Sequence, residues 1–91
     1  ANSHVDRSIK HPKIFFEDNV MGTVNLLEWY RTKCPKALMI NYLTDEVFGP
    51  APLDYNYKED DRYRSGNPYA ASKAGGEEMC ISFFNTYNFR I

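Results

Sequence analysis

Ala37-Leu38-Met39-Ile40-Asn41-Tyr42-Leu43, followed directly by Thr44-Asp45-Glu46, is the stretch whose reading decides the fold. Residues 37–43 are almost continuously apolar and do not alternate as a surface strand would, so they predict a central parallel strand covered on both faces. Three polar residues stand at its carboxyl end. In open α/β sheets ligands bind beyond the carboxyl ends of the strands, which is where Thr44, Asp45 and Glu46 are then expected.

On the amino-terminal side, Pro12 suits a first helical position, and Phe16, Val20, Val24 and Leu27 recur at helical spacing. A helix over about residues 12–33 is expected, ended by Pro35. Gly22 inside it costs about 1 kcal/mol relative to alanine, a cost tolerated where a helix lies close against a neighbour. On the other side, residues 49–67 carry Pro50, Pro52 and the run Lys58-Glu59-Asp60-Asp61 without sustained periodicity, and read as a loop. Pro68 opens a second helix, with small residues Ala70, Ala71, Ala74, Gly75 and Gly76 and an apolar remainder of Met79, Cys80, Phe83 and Phe84. It reaches about Tyr87, and Asn88 turns the chain toward Phe89-Arg90-Ile91, the expected start of another strand. The order helix, strand, loop, helix, strand start predicts the α/β class, as part of a Rossmann-type doubly wound parallel sheet.

Ninety-one residues make one small domain with a thin stability margin. A net charge of −1 gives no electrostatic footprint for nucleic acid or an anionic membrane, so neither is expected as a partner. Cys34 and Cys80 lack metal-ligand spacing and read as reduced, buried thiols of a cytoplasmic protein, with no metal site. No apolar run approaches the roughly 18 residues of a membrane span. The sequence opens at Ala1 without a methionine, and a piece of a longer protein is expected.

Tyr69 and Lys73 stand four apart at the start of the second helix and share a face. The Lys73 ammonium near the Tyr69 phenol would favour the phenolate, fitting Tyr69 to act as a base near neutrality. Such a pair arises by chance roughly 0.4 times in this composition, and a Thr-Asp-Glu turn alone is commonly a cap or a solvated loop. The combination of a buried-type strand delivering the carboxyl pair and a helix opening on the Tyr/Lys pair is what points to chemistry. His4 and Asn19 read as structural, hydrogen-bonded residues.

The chain resembles a known family along its whole length. Ser3-His4-Val5-Asp6-Arg7-Ser8-Ile9, Asn19-Val20-Met21-Gly22-Thr23 with Asn25-Leu26-Leu27-Glu28, Thr44-Asp45-Glu46-Val47-Phe48-Gly49, and Asn67-Pro68-Tyr69-Ala70-Ala71-Ser72-Lys73-Ala74 stand in the order of signatures of the nucleoside-diphosphate-glucose 4,6-dehydratases. These are extended short-chain dehydrogenase/reductases, and the likeness is nearest to their dTDP-glucose-using branch. The resemblance implies a redox-neutral dehydration with bound NAD, acting on a nucleoside-diphosphate sugar, in a homodimeric parent enzyme. Tyr69 would take the proton of the sugar 4-hydroxyl, Thr44 would hydrogen-bond that hydroxyl or the phenolate, and Lys73 would tune Tyr69 and hold the nicotinamide ribose. Glu46 would then remove the C5 proton, acidified by the 4-ketone, while Asp45, kept protonated, donates to the departing 6-hydroxyl. Family position also places Ala1, Asn2 and Ser3 along the cofactor, with Ser3 touching the sugar. Residues 1–91 would form the C-terminal part of an NAD-binding domain, without its glycine-rich turn or the substrate domain, and alone would be inactive. The alternatives are a nucleotide-sugar epimerase or decarboxylase of the same superfamily, disfavoured by Asp45-Glu46, and a non-catalytic remnant or interaction module.

Overall fold

The structure, a computed structural model, describes residues 1–91. Its elements are helices α1 (Val5–Lys10), α2 (Pro12–Phe16), α3 (Gly22–Lys33) and α4 (Pro68–Tyr87), a π-helical turn at Glu17–Met21 and a 3-10 turn at Asp45–Phe48. In all, 57% of the chain is helical and none of it is strand.

The Rossmann-type parallel sheet expected from residues 37–43 is therefore not formed, and the α/β reading is corrected to an all-helical one. A strand exists only when a neighbour takes up its N–H and C=O groups. These 91 residues offer residues 38–43 one main-chain hydrogen bond, from Met39 N–H to Arg90 C=O at 2.9 Å. Phe89–Ile91, the second expected strand, is likewise irregular. The apolar side chains stay in the open, with Ile40 69% and Tyr42 82% exposed.

The helices form where their signals stand. His4 caps α1 by accepting the Arg7 N–H on Nδ1 at 3.2 Å, the structural role expected of it. Pro12 opens α2, which runs through the π turn into α3 as one rod over residues 12–33, ending before Pro35. Asn67 caps α4 by accepting the Ala70 N–H at 2.8 Å, Pro68 follows it, and Asn88 closes the helix in the left-handed conformation at φ 58°. Helix α1 itself was not expected from the sequence.

Helix α4 packs along the rod, and Leu27, Tyr30, Cys80, Phe83 and Phe89 make the core. Phe15 is fully buried beside it, whereas Phe16, expected inside, is 53% exposed. The close approach of the helices lies at Gly76, where a Cβ would stand 2.9 Å from the Asn19 carbonyl, and at Gly75, where it would meet Val20 at 3.0 Å. Gly22 corrects its reading: it is exposed, and its nearest outside atom would be the Glu17 carbonyl at 3.8 Å. The Tyr30 hydroxyl donates to the Ala37 carbonyl and ties the start of the apolar stretch to the core.

Candidate active site

The Thr44-Asp45-Glu46 turn is built by local hydrogen bonding. Thr44 stays extended, its hydroxyl accepts the Glu46 N–H at 3.3 Å, and Asp45–Phe48 closes one 3-10 turn. Gly49 then leaves at φ 81°, and a Cβ there would collide with the Arg64 carbonyl, so glycine is required. Arg64 N–H donates to the Val47 carbonyl at 2.8 Å, bringing the far end of the 49–67 loop back onto the turn.

The turn rests against α4. Asn67 joins them: its Oδ1 caps the helix and its Nδ2 donates to Glu46 Oε2 at 3.4 Å. Two clefts flank the carboxyl pair. One, of about 390 Å³, is lined by Asp45, Glu46, Tyr57 and Asn67 among others. The second, of about 320 Å³, is lined by Thr44, Asp45, Phe48, Glu59, Tyr63 and Glu77. Asp45 borders both. A third groove, of about 430 Å³, is apolar and runs between residues 38–43 and the Cys80–Phe84 part of α4.

Tyr69 and Lys73 lie half-buried on the first two turns of α4. The Tyr69 ring stands edge-on to Phe15, with centroids 6.4 Å apart. No hydrogen bond or ion pair within the chain occupies its hydroxyl or the Lys73 ammonium. Burial pushes the Cys80 thiol above its ordinary range, and the Glu77 carboxylate adds to that while the Lys73 ammonium opposes it. A thiol so held stays protonated and inert at neutral pH.

The amino-terminal residues reach this region through Asn19. Asn2 N–H donates to Asn19 Oδ1 at 2.7 Å, and Asn19 Nδ2 donates to the Asn2 carbonyl at 2.8 Å and to Ser72 Oγ at 2.9 Å. Ser72 in turn donates to the Tyr69 carbonyl at 2.7 Å. Asn19 is 3% exposed and sits in the π turn, where Thr23 takes up its carbonyl at 2.7 Å. Ala1 and Ser3 remain exposed on either side of the clamped Asn2.

Of the residues singled out in the sequence, Asn2 is thus linked to Tyr69, and Glu46 to the start of α4. Thr44, Asp45 and Glu46 make no hydrogen bond to Tyr69 or Lys73. Sequence reasoning missed Asn67, Ser72, Tyr63 and Glu77 as site-builders. Asn before Pro at a helix start is a capping signal and could have marked Asn67. Nothing local marks the others.

All 91 residues match the family described as GDP-mannose 4,6 dehydratase. The chain belongs to that family. It is 35% identical, over all of its length, to the dTDP-glucose 4,6-dehydratase of Xanthomonas campestris pv. campestris (strain B100), of which it covers 28%. It is also 35% identical over 99% of its length to the Mycobacterium tuberculosis (strain CDC 1551 / Oshkosh) enzyme of that name, covering 27% of it. The solved structure of DesIV, a dTDP-glucose 4,6-dehydratase from Streptomyces venezuelae with NAD and TYD bound, superposes with a TM-score of 0.91 at 36% identity. That match covers 98% of this chain and 27% of DesIV. RMD from Pseudomonas aeruginosa, solved with NADPH, matches at a TM-score of 0.92 and 23% identity over 99% of this chain and 31% of its own, a likeness of fold alone. The chain therefore spans less than a third of each of these relatives. The chain is thus similar to part of the 4,6-dehydratases named here.

Proposed function

We propose that residues 1–91 carry the catalytic side chains of an NAD-dependent nucleoside-diphosphate-glucose 4,6-dehydratase, and that a longer protein supplies the rest of the site. The observation that carries this reading is the placement of a capped Thr44-Asp45-Glu46 turn against the first turn of the helix holding Tyr69 and Lys73, with Asn67 touching both.

The residues fit one end of the cofactor. Lys73, free of any ion pair, and Tyr69 would hold the nicotinamide ribose, with Ala1, Asn2 and Ser3 alongside. No glycine-rich turn is present to cradle the pyrophosphate, since the glycines stand singly at 22, 49 and 66 and paired at 75–76. NAD, when bound, would supply the hydride acceptor and donor that keep the dehydration redox-neutral. The chain does the proton work. Tyr69 takes the proton of the 4-hydroxyl as C4 becomes a ketone, and Thr44 hydrogen-bonds that oxygen. Glu46 removes the C5 proton, and Asp45 gives its proton to the 6-hydroxyl, which leaves as water. A proton returned to C5 completes the 4-keto-6-deoxy sugar. Two neighbouring carboxyls suit one acid and one base because they discourage each other's ionisation. Residues 1–91 made alone are proposed to be inactive.

The test is Glu46→Gln in the complete protein. Oxidation at C4 survives while elimination slows by about 10² to 10⁴, so reduced nicotinamide absorbance builds up in a single turnover. Normal product formation without that build-up removes Glu46 from its role. Turnover by the isolated 91 residues overturns the need for a larger protein.

A further inference from the structure

Tyr63 and Glu77 serve none of the proton transfers above, yet they are joined across the cleft that Thr44 and Asp45 line. The Tyr63 hydroxyl donates to Glu77 Oε2, linking the end of the 49–67 loop to the third turn of α4. From the same loop residue, the ring packs edge-on to Phe48, the last residue of the 3-10 turn, with centroids 5.3 Å apart and planes at 77°. The next residue, Arg64, donates its N–H to the Val47 carbonyl at 2.8 Å. Tyr63 is thus anchored to the turn by its ring and its neighbour's main chain, and to α4 by its hydroxyl. The turn itself has one direct side-chain hydrogen bond toward the start of α4, a long one from Asn67 to Glu46 at 3.4 Å.

Resting on the dehydration reading above, we infer that Tyr63 and Glu77 are positioning residues, a hydrogen-bonded strut that fixes the Asp45–Glu46 carboxyls relative to the helix carrying Tyr69 and Lys73. A 3-10 turn of four residues has little stiffness of its own. A carboxyl that must meet the C5 proton loses efficiency steeply with displacement, on the order of 10²-fold for 1 Å. The strut supplies the missing constraint. Loss of solvent around the Tyr63 phenol, and the Glu77 carboxylate beside it, push its ionisation well above the ordinary tyrosine range, so it remains a donor throughout the working pH.

Tyr63→Phe removes one oxygen and keeps the ring on Phe48, so the variant folds; Glu77→Leu removes the acceptor. In the complete protein each slows elimination about tenfold and raises the reduced nicotinamide held in a single turnover, with KM for the sugar nucleotide unchanged. The double variant is no slower than either single one, because both break the same link. Amide exchange at Val47 and Arg64 accelerates in Tyr63→Phe while exchange within α4 does not. An unchanged elimination rate, a double variant whose defects multiply, or unaltered exchange at Val47 each overturns the strut. Glu46→Gln run alongside separates the two ideas: normal product from that variant overturns the dehydration reading, whereas accumulation there with a normal Tyr63→Phe overturns only the strut.

Discussion

The rod of residues 12–33 and the stretch 37–43 are both rich in apolar side chains, yet one is folded and the other is not. The difference lies in where each finds partners for its backbone. Of 46 main-chain hydrogen bonds, 35 fall within helices, which close their ladders over four residues and ask nothing of distant chain. Residues 38–43 have one such bond, from Met39. A helix is legible and formable locally; a strand is a property of its neighbours. The same contrast appears in the surface. The chain exposes 6601 Å², roughly 1,100 Å² more than the ~5,500 Å² that scaling gives for a compact protein of 10.6 kDa. Leu38, Ile40, Ile81 and Phe84, bordering the apolar groove, contribute to that excess.

The sharpest way to break this comparison is to truncate one apolar residue in each region. Phe15→Ala should destabilise the 91-residue chain by about 3 to 5 kcal/mol, since the ring is fully buried. Ile40→Ala, at a position 69% exposed, should stay within about 0.5 kcal/mol. Chemical denaturation followed by far-UV circular dichroism measures both. Equal costs would mean that residues 37–43 are packed in solution.

A smaller effect sharpens the boundary between the helices and the site. Asn67→Ala removes the acceptor for the Ala70 N–H and should cost about 1 kcal/mol, seen as a lower thermal midpoint. Asn67→Ser, which restores a capping oxygen but cannot reach Glu46, should recover most of that stability. A serine variant as unstable as the alanine one would make the Glu46 link, rather than the cap, the source of the loss.

The smallest effect belongs to the loop and should leave the helices untouched. The Lys58 main-chain N–H and the Tyr55 hydroxyl, each 2.7 Å from Asp61 Oδ2, hold that carboxyl below the ordinary aspartate range. A carboxyl with a depressed folded value stabilises above the ordinary range and loses that contribution as pH falls through and below about 4. Tyr55 resonances should therefore shift over that interval while helical circular dichroism holds. A concurrent loss of helix signal would show the loop and the helices to be one cooperative unit.

How much was legible follows from the same contrast. Pro12, Pro35, Pro68 and Asn88 act on their own neighbourhoods, and the helices over residues 12–33 and 68–87 end where those residues say. The Thr44 cap and the 49–67 loop are equally local, whereas residues 37–43 were misread because a pattern suited to a covered strand says nothing about whether the cover is present. For the proposed site, Thr44, Asp45, Glu46, Tyr69 and Lys73 could be named from their types and order along the chain. The Asn2–Asn19–Ser72 links and the Tyr63–Glu77 bond could not, since they join residues 17, 53 and 14 positions apart with no local signature. The sequence marks Asn19 only as a structural residue, and the structure gives that role its content: the buried amide joins the amino-terminal segment to the helix of Tyr69.

The π turn at Glu17–Met21 sets the angular phase of the rod. A straight helix advances about 100° per residue, so the twelve steps from Phe15 to Leu27 would leave those two side chains about 120° apart. A turn that takes up one extra residue reduces this to about 20°, and both side chains are fully buried. The eleven steps from Phe16 to Leu27 give the same 20° without any π turn, which is why Phe16 looked like the inward residue. The rod thus spends one residue more than its core requires. That surplus residue bulges the backbone at Asn19 and hands an amide to Asn2 and Ser72, so a single-residue deletion between Glu17 and Met21 would leave the apolar seam aligned while erasing the polar clamp beneath Tyr69.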